Sequence, residues 1–349
     1  MKRMLAASLA AAFAVACTAP GLAAPAAHAW KVIQRYPLGG SGGWDYLALD
    51  QAAQRLYVSR SNRVLVLDAR NGKRIGEIDG LSGVHGIAIA DDLHRGFISN
   101  GRGDTVTVFN LATLKVEQTV PVGAKDPDGI VYDPYSHRVF TFNGDSNDAS
   151  VIDAVSGKLL GHIALPGRPE FPVSDGDGHV YDNIESRNAL VEIDPMTMKV
   201  TATWPLKDCD SPSGLAIDTA HHRLFSVCQN KIMAVTNAEN GKQVASVPIG
   251  EGPDAARFDP RRQRVFSSNG DSGTLTVVHE TTPDSYHVLA NVPTQKSART
   301  MALDEASGRI FLSAAEFGPR PAPTQADPHP RHTVKPGSFT VLVAGPASN

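Results

Sequence analysis

Short runs of alternating apolar and polar residues recur along almost the whole chain, each bounded by Gly, Asn, Asp or Pro. One apolar run returns seven times: Tyr46-Leu47-Ala48-Leu49-Asp50, Gly86-Ile87-Ala88-Ile89, Gly129-Ile130-Val131-Tyr132-Asp133, Phe171-Pro172-Val173-Ser174-Asp175, Gly214-Leu215-Ala216-Ile217-Asp218, Ala255-Ala256-Arg257-Phe258-Asp259 and Thr300-Met301-Ala302-Leu303-Asp304. The residues just ahead of these runs are Asp45, His85, Asp128, Glu170, Ser213, Asp254 and Arg299, spaced by 40, 43, 42, 43, 41 and 45 positions. After each run come a turn and a second alternating run, usually opened by Arg, as in Arg55-Leu56-Tyr57-Val58 and Arg138-Val139-Phe140-Thr141. A third follows, such as Thr105 to Phe109 or Thr274 to Val278. A turn such as Gly157-Lys158-Leu159 opens a fourth. Period-two alternation predicts strands, and no 3.6-residue period appears after position 30.

A repeat of about 42 residues carrying four strands is the signature of a propeller blade, and seven copies predict an all-β, seven-bladed β-propeller. The seventh copy supplies only three strands, near Thr300–Asp304, Arg309–Ala314 and Ser338–Ala344. An unclaimed strand at about 31–38 precedes the first copy, and it is expected to complete blade 7. Closing the ring in this way removes exposed sheet edges. The propeller should span 30–345 as one domain, followed by a flexible tail at 346–349.

Residues 1–29 read as a signal peptide. Lys2 and Arg3 precede an Ala-rich apolar stretch from Met4 to Cys17, and Ala27-His28-Ala29 supplies a small-x-small cleavage site before Trp30. The stretch is too short for a permanent membrane anchor, and no later segment is apolar enough to span a bilayer. Lipid anchoring through Cys17 competes with cleavage. However, Ala14-Val15-Ala16 precedes that Cys where a lipoprotein signal normally places Leu. A periplasmic or secreted location is expected.

Without residues 1–29 the chain carries 31 Lys+Arg against 36 Asp+Glu. That mild acidity argues against nucleic acid as the main partner, because gripping phosphates needs a basic surface. In an oxidising compartment Cys209 and Cys228 favour a disulfide. Neither belongs to a CxxC pair, which weakens a metal-ligand reading, and the absence of CxxCH excludes a covalently attached c-type haem.

The repeat acts as an internal control: features shared by all copies are architectural, and polar features peculiar to one copy are candidates for function. Asp50/Arg55, Asp133/Arg138, Asp218/Arg223, Asp259/Arg264 and Asp304/Arg309 share one spacing and read as turn chemistry, the Asp bonding local backbone and the Arg pairing with it. The residues ahead of the first strands are not one shared residue but four carboxylates (Asp45, Asp128, Glu170, Asp254) with His85, Arg299 and Ser213. Since first strands line the channel, those seven should crowd its mouth. Carboxylates about 7 Å apart would repel by about 2 kcal/mol per pair at an effective dielectric near 20. Relief must come from Arg299, a proton, water, or a bound cation. Arg257, deeper in the channel, is expected to neutralise Asp254 or Glu170. The loops after the second strands carry Asn100, Asn143 and Asn269, expected on the same face. A long loop at 318–337 holds six prolines with His329 and His332 and should form a flap there, its two His being a weak metal signal.

The chain resembles the YVTN-type β-propeller repeat proteins of the YncE-like group, which are exported bacterial propellers. The match is carried by Gly43-Trp44-Asp45-Tyr46-Leu47, Gly83-Val84-His85-Gly86-Ile87, Phe142-Asn143-Gly144, Pro169-Glu170-Phe171, Ser268-Asn269-Gly270-Asp271 and Ala298-Arg299-Thr300-Met301-Ala302. The tetrapeptide itself is absent, Leu56-Tyr57-Val58-Ser59 being its nearest variant. The resemblance implies the fold and no particular reaction.

Two functions follow as expectations. The first is a non-catalytic binding or scaffold protein, monomeric, with a small molecule or periplasmic protein docked at the mouth. Its contacts would be Asp45, His85, Asp128, Glu170, Asp254, Arg257, Arg299, Asn100, Asn143 and Asn269. The alternative is a lactonase-like hydrolase holding Ca²⁺, Mg²⁺ or Zn²⁺ on Glu170, Asp254, Asn143 and Asn269, with His85 or Asp128 as general base. The ligand motifs of the lactonase families are not matched.

Overall fold

A computed structural model describes residues 30–324 and 332–347. The stretch read above as a signal peptide, with Cys17 in it, and His329 and the last two residues lie outside them. Among the described residues the strands form seven four-stranded antiparallel sheets. Six sheets take their strands in sequence order. The seventh joins Met301–Asp304, Arg309–Ala314 and Thr340–Pro346 to the opening strand Trp30–Pro37, whose register runs from Trp30 opposite Pro346 to Pro37 opposite Thr340. The ring is therefore closed by the first strand, as expected. Pro346 belongs to that last strand rather than to a tail.

Each blade buries both faces against its neighbours, so the cores lie between blades. One cluster joins blades 1 and 7 through Leu56, Leu67, Phe311, Phe339 and Val341, and Tyr36 of the closing strand packs into it. Inner strands converge on the axis, and this explains the glycine after several mouth residues: a Cβ on Gly129 would sit 2.3 Å from the Glu170 carbonyl, and one on Gly214 2.5 Å from the Ala255 Cα. Only glycine allows so close an approach.

In the five blades whose inner strand ends in Asp, that Asp bonds its own turn, as read from the sequence. Asp50 accepts from the Ala53 N–H, and Asp133 from the N–H and hydroxyl of Ser136. The Arg that follows behaves differently. Arg55 donates to the Leu111 carbonyl, Arg138 to those of Pro195 and Met196, and Arg223 to that of Pro283. Each of these guanidinium groups reaches a backbone carbonyl of the next blade, while the Asp carboxylate is engaged by its own turn. The repeat is a blade-to-blade staple.

The disulfide forms between Cys209 and Cys228, tying the entry of blade 5 to the end of its second strand.

Candidate functional site

The mouth residues owe their exposure to bulges. In blades 2 to 6 the pairing of the inner strand opens at a residue one place earlier than the mouth position and then slips, as between Val84 and Ile87, Pro127 and Ile130, or Pro169 and Pro172. A bulge re-aims the side chains it carries. His85, Asp128, Glu170 and Asp254 sit on such bulges, and together with Asp45 and Arg299 they line one cavity of about 380 Å³. Six of the seven expected mouth residues thus share a site. Ser213 does not: it is buried and its hydroxyl donates to the Pro253 carbonyl.

Two positively charged groups organise the cavity. Arg299 donates to Asp45 at 3.1 Å and makes a shorter contact with Asp254. His85 Nδ1 lies 2.6 Å from Asp45 and 3.5 Å from Asp128, while its Nε2 is 3.6 Å from Asp126. Burial would push the His85 imidazole down. The hydrogen bonds of Asp126 and Asp45 and the charge of Asp128 outweigh burial and raise it to about 11, so His85 is an imidazolium. Gly101 makes room for this contact, since a Cβ there would meet Asp126 at 2.4 Å and His85 at 2.6 Å.

Carboxyl groups outnumber basic groups. Six carboxyl groups (Asp45, Asp126, Asp128, Glu170, Glu185 and Asp254) face Arg168, Arg299 and His85. Burial and its acidic neighbours raise Asp128 to about 7, against the pull of His85. Glu170 is raised well above its ordinary value by burial and by Asp128, Asp254, Glu185 and Asp45, although its charge is also felt by Arg168. Asp254 is held up by burial despite Arg299. The fully buried Asp182 is also raised well above the usual range by burial, and among the described residues no side chain donates to it.

Several expected site residues lie elsewhere. Asn100, Asn143 and Asn269 are buried inside their blades and turn their amides into their own hairpins. Asn143 donates to Asp148 and Ser150, and Asn269 to Thr274 and Thr276. A buried amide must satisfy its N–H groups locally, and these three clamp the loop between second and third strands. The ligand set Glu170, Asp254, Asn143 and Asn269 is therefore not assembled. The donor atoms that do converge, within 4.8 Å of one another, belong to Asp45, His85 and Asp128. Arg257 makes no ion pair with Asp254 or Glu170. It lies over the Phe171 ring at 4.9 Å and donates to the Ala256 carbonyl, and burial lowers it to about 10.

The sequence reading missed Asp126 and Arg168. Both stand two places ahead of a mouth residue across a proline, in Asp126-Pro127-Asp128 and Arg168-Pro169-Glu170, and an i, i+2 pair shares a face on an extended strand. The flap base sits beside the mouth as expected: Phe317 pairs with Val334, stacks on Trp44 at 6.3 Å and on His332 at 5.4 Å.

No family model matches the chain. It is similar to "Uncharacterized protein YncE" of Salmonella typhimurium (strain LT2) and of Salmonella typhi, at 23% identity over 258 residues in each case. The match covers 73% of this chain but only 60% of the length of those relatives. Among solved structures it resembles Kuenenia stuttgartiensis hydrazine synthase, with a TM-score of 0.67 at 17% identity over 77% of this chain and 92% of that one. It also resembles U3-55K, at TM-score 0.73 and 9% identity over 91% and 98% of the two chains, and the WD40 repeats of RRP9, at 0.73 and 8% over 88% and 96%. At such identities the likeness concerns the fold alone.

Proposed function

We propose that this YncE-like propeller is an exported, non-catalytic binding protein whose mouth takes a small organic cation, an amine or guanidinium compound. The observation that carries this reading is Glu170: a carboxyl pushed upward by burial and by four other acidic groups, in a cavity to which every blade but one contributes a charged side chain from its mouth position. Such a carboxyl is relieved when a positive charge enters. The cavity of about 380 Å³ falls in the range of small-molecule pockets, far larger than one bare ion needs. Its walls are inner strands locked by inter-blade packing, so little ordering accompanies binding.

Calorimetric titration of chelator-treated protein with a diamine, a guanidinium compound, Ca²⁺, Mg²⁺ and a dicarboxylate tests the reading. The organic cations should bind and the dicarboxylate should not, and Glu170→Gln should weaken binding about tenfold or more, roughly one charge-assisted hydrogen bond. Preference for the anion, or indifference to Glu170→Gln, would defeat it.

A hydrolase holding a divalent cation is the second reading, favoured by the convergence of Asp45, His85 and Asp128. The imidazolium state of His85 opposes it, since a metal ligand must be deprotonated. Stoichiometric metal in the purified protein together with ester hydrolysis lost in His85→Ala would select it.

A further inference from the structure

A second titratable cluster lies at the opposite end of the ring. The inner strand of blade 5, Pro212–Asp218, runs from the mouth to the far face and ends at Asp218. There Asp218, His221 and, from blade 6, Glu280 bring one oxygen or nitrogen each within 4.8 Å of one another. His221 Nδ1 is 2.6 Å from Asp218 Oδ2 and 3.7 Å from Glu280 Oε1.

The Asp218–His221 contact alone is unremarkable, because other blades place a donor at the same turn position: Ser136 on Asp133, Arg262 on Asp259, Ser307 on Asp304. Glu280 is the departure. It follows His279, the third-strand residue that faces Arg264 at the start of the second strand, and marks one phase of the repeat. There the other six blades carry Ala69, Leu111, Ala154, Pro195, Ala238 and Pro346, all apolar. Its side chain is 1% exposed, and Oε2 has no hydrogen-bond partner among the described residues. The Tyr286 hydroxyl donates to Oε1 at 3.4 Å. Asp218, also 1% exposed, lies against it. The nearest guanidinium, Arg223, is committed to Asp284 and to the carbonyls of Pro283, His221 and His222. Two buried carboxyl groups thus meet with an unfilled acceptor between them and a half-exposed imidazole on the solvent side.

We propose that Asp218, His221 and Glu280 form a Zn²⁺ site on the seam between blades 5 and 6, distinct from the mouth. One imidazole nitrogen and two carboxylate oxygens form a donor set suited to Zn²⁺ rather than to Ca²⁺ or Mg²⁺, which take more oxygens. Ligands about 2.1 Å from a tetrahedral ion lie about 3.4 Å apart, so the cluster needs to spread by less than 1 Å between His221 and Asp218. The fourth position faces solvent beside His221. The ion would clamp two blades where the other seams carry apolar contacts, and its binding would depend on Glu280 above all.

The test uses the full chain, stripped by chelator and titrated with Zn²⁺ by calorimetry, with Co²⁺ as a spectroscopic stand-in. Wild type should bind Zn²⁺ with a rise in Tm and give the visible absorption of a four-coordinate Co²⁺ site. Glu280→Ala should fold, since three other blades carry Ala at that position, and should lose Zn²⁺ affinity at least 100-fold. His221→Ala should lose the Co²⁺ absorption. Glu170→Gln should leave both unchanged. Equal Zn²⁺ affinity in Glu280→Ala would overturn the assignment. So would a wild type that takes up no Zn²⁺ while Glu280→Ala gains stability, because that pair of results identifies a shared proton between the two carboxyl groups.

Discussion

Replacing Asp128 by Asn should stabilise the protein, and the gain should depend on pH. The carboxyl of Asp128 is raised from 3.8 to about 7, with burial as the largest cause. A raised carboxyl keeps its proton in the folded state while the unfolded chain has already released it. Between these two values the native state binds more protons, so wild-type stability falls as pH rises through the window. A shift of about three units, at 1.36 kcal/mol each, amounts to about 4 kcal/mol at pH 8 and nothing at pH 3. Asn has the same shape and no charge to desolvate. His85 keeps Asp45 and Asp126 as partners and remains an imidazolium. Urea unfolding of ligand-free wild type and variant at pH 4, 6 and 8 would measure the difference from the midpoints, provided the m-values agree. The advantage of Asp128→Asn should grow with pH and level off above about 7. A variant that is less stable at pH 8, or more stable by the same amount at every pH, would refute the assignment of Asp128 as a charge the fold holds at a cost.

Reducing the disulfide, or the double change Cys209→Ser with Cys228→Ser, should cost about 3 kcal/mol for a loop of 19 residues, read from the urea midpoint. Asn143→Ala should cost about 1–3 kcal/mol by stranding Asp148 and Ser150, yet leave cation affinity at the mouth unchanged, as calorimetry would show. Tyr36→Ala should open the ring closure. The side chain is 3% exposed and its hydroxyl donates to the Ala69 carbonyl, so a loss of about 3–5 kcal/mol is expected, with proteolysis beginning near the amino-terminal strand. The His85 imidazolium contributes stability that is complete below its unfolded value of 6.5 and is lost as pH rises through about 11. NMR of the ring should therefore show no titration between pH 6 and 9.

The fold was readable because a propeller writes its unit seven times, and the closing strand followed from a missing fourth strand at one end and a spare one at the other. The mouth ring was readable for the same reason: Asp45, His85, Asp128, Glu170, Asp254 and Arg299 occupy one phase of the repeat, where charged residues of both signs replace a shared architectural residue. The errors arose where a polar residue faces inward. Asn143 and Asn269 look like loop residues in the sequence, and nothing in an Asn-Gly pair tells whether the amide points to solvent or back into its hairpin. Arg55 and Arg138 were placed on the nearest Asp in sequence, whereas each reaches a carbonyl about 57 residues away in the next blade. Glu280 was visible in principle, being the one acidic residue at an otherwise apolar phase. Finding it required extending the repeat comparison to the third strand.

The mouth is held to carry more negative charge than its own Arg and His can offset, and a cationic ligand is held to supply the difference. Calorimetric titration with a diamine near pH 6.5, repeated in buffers of different ionisation heat, counts the protons exchanged on binding. Because Asp128 is largely protonated there, the diamine should bind and expel a measurable fraction of a proton or more per chain. Binding without proton release, or no binding by any organic cation, would contradict the account.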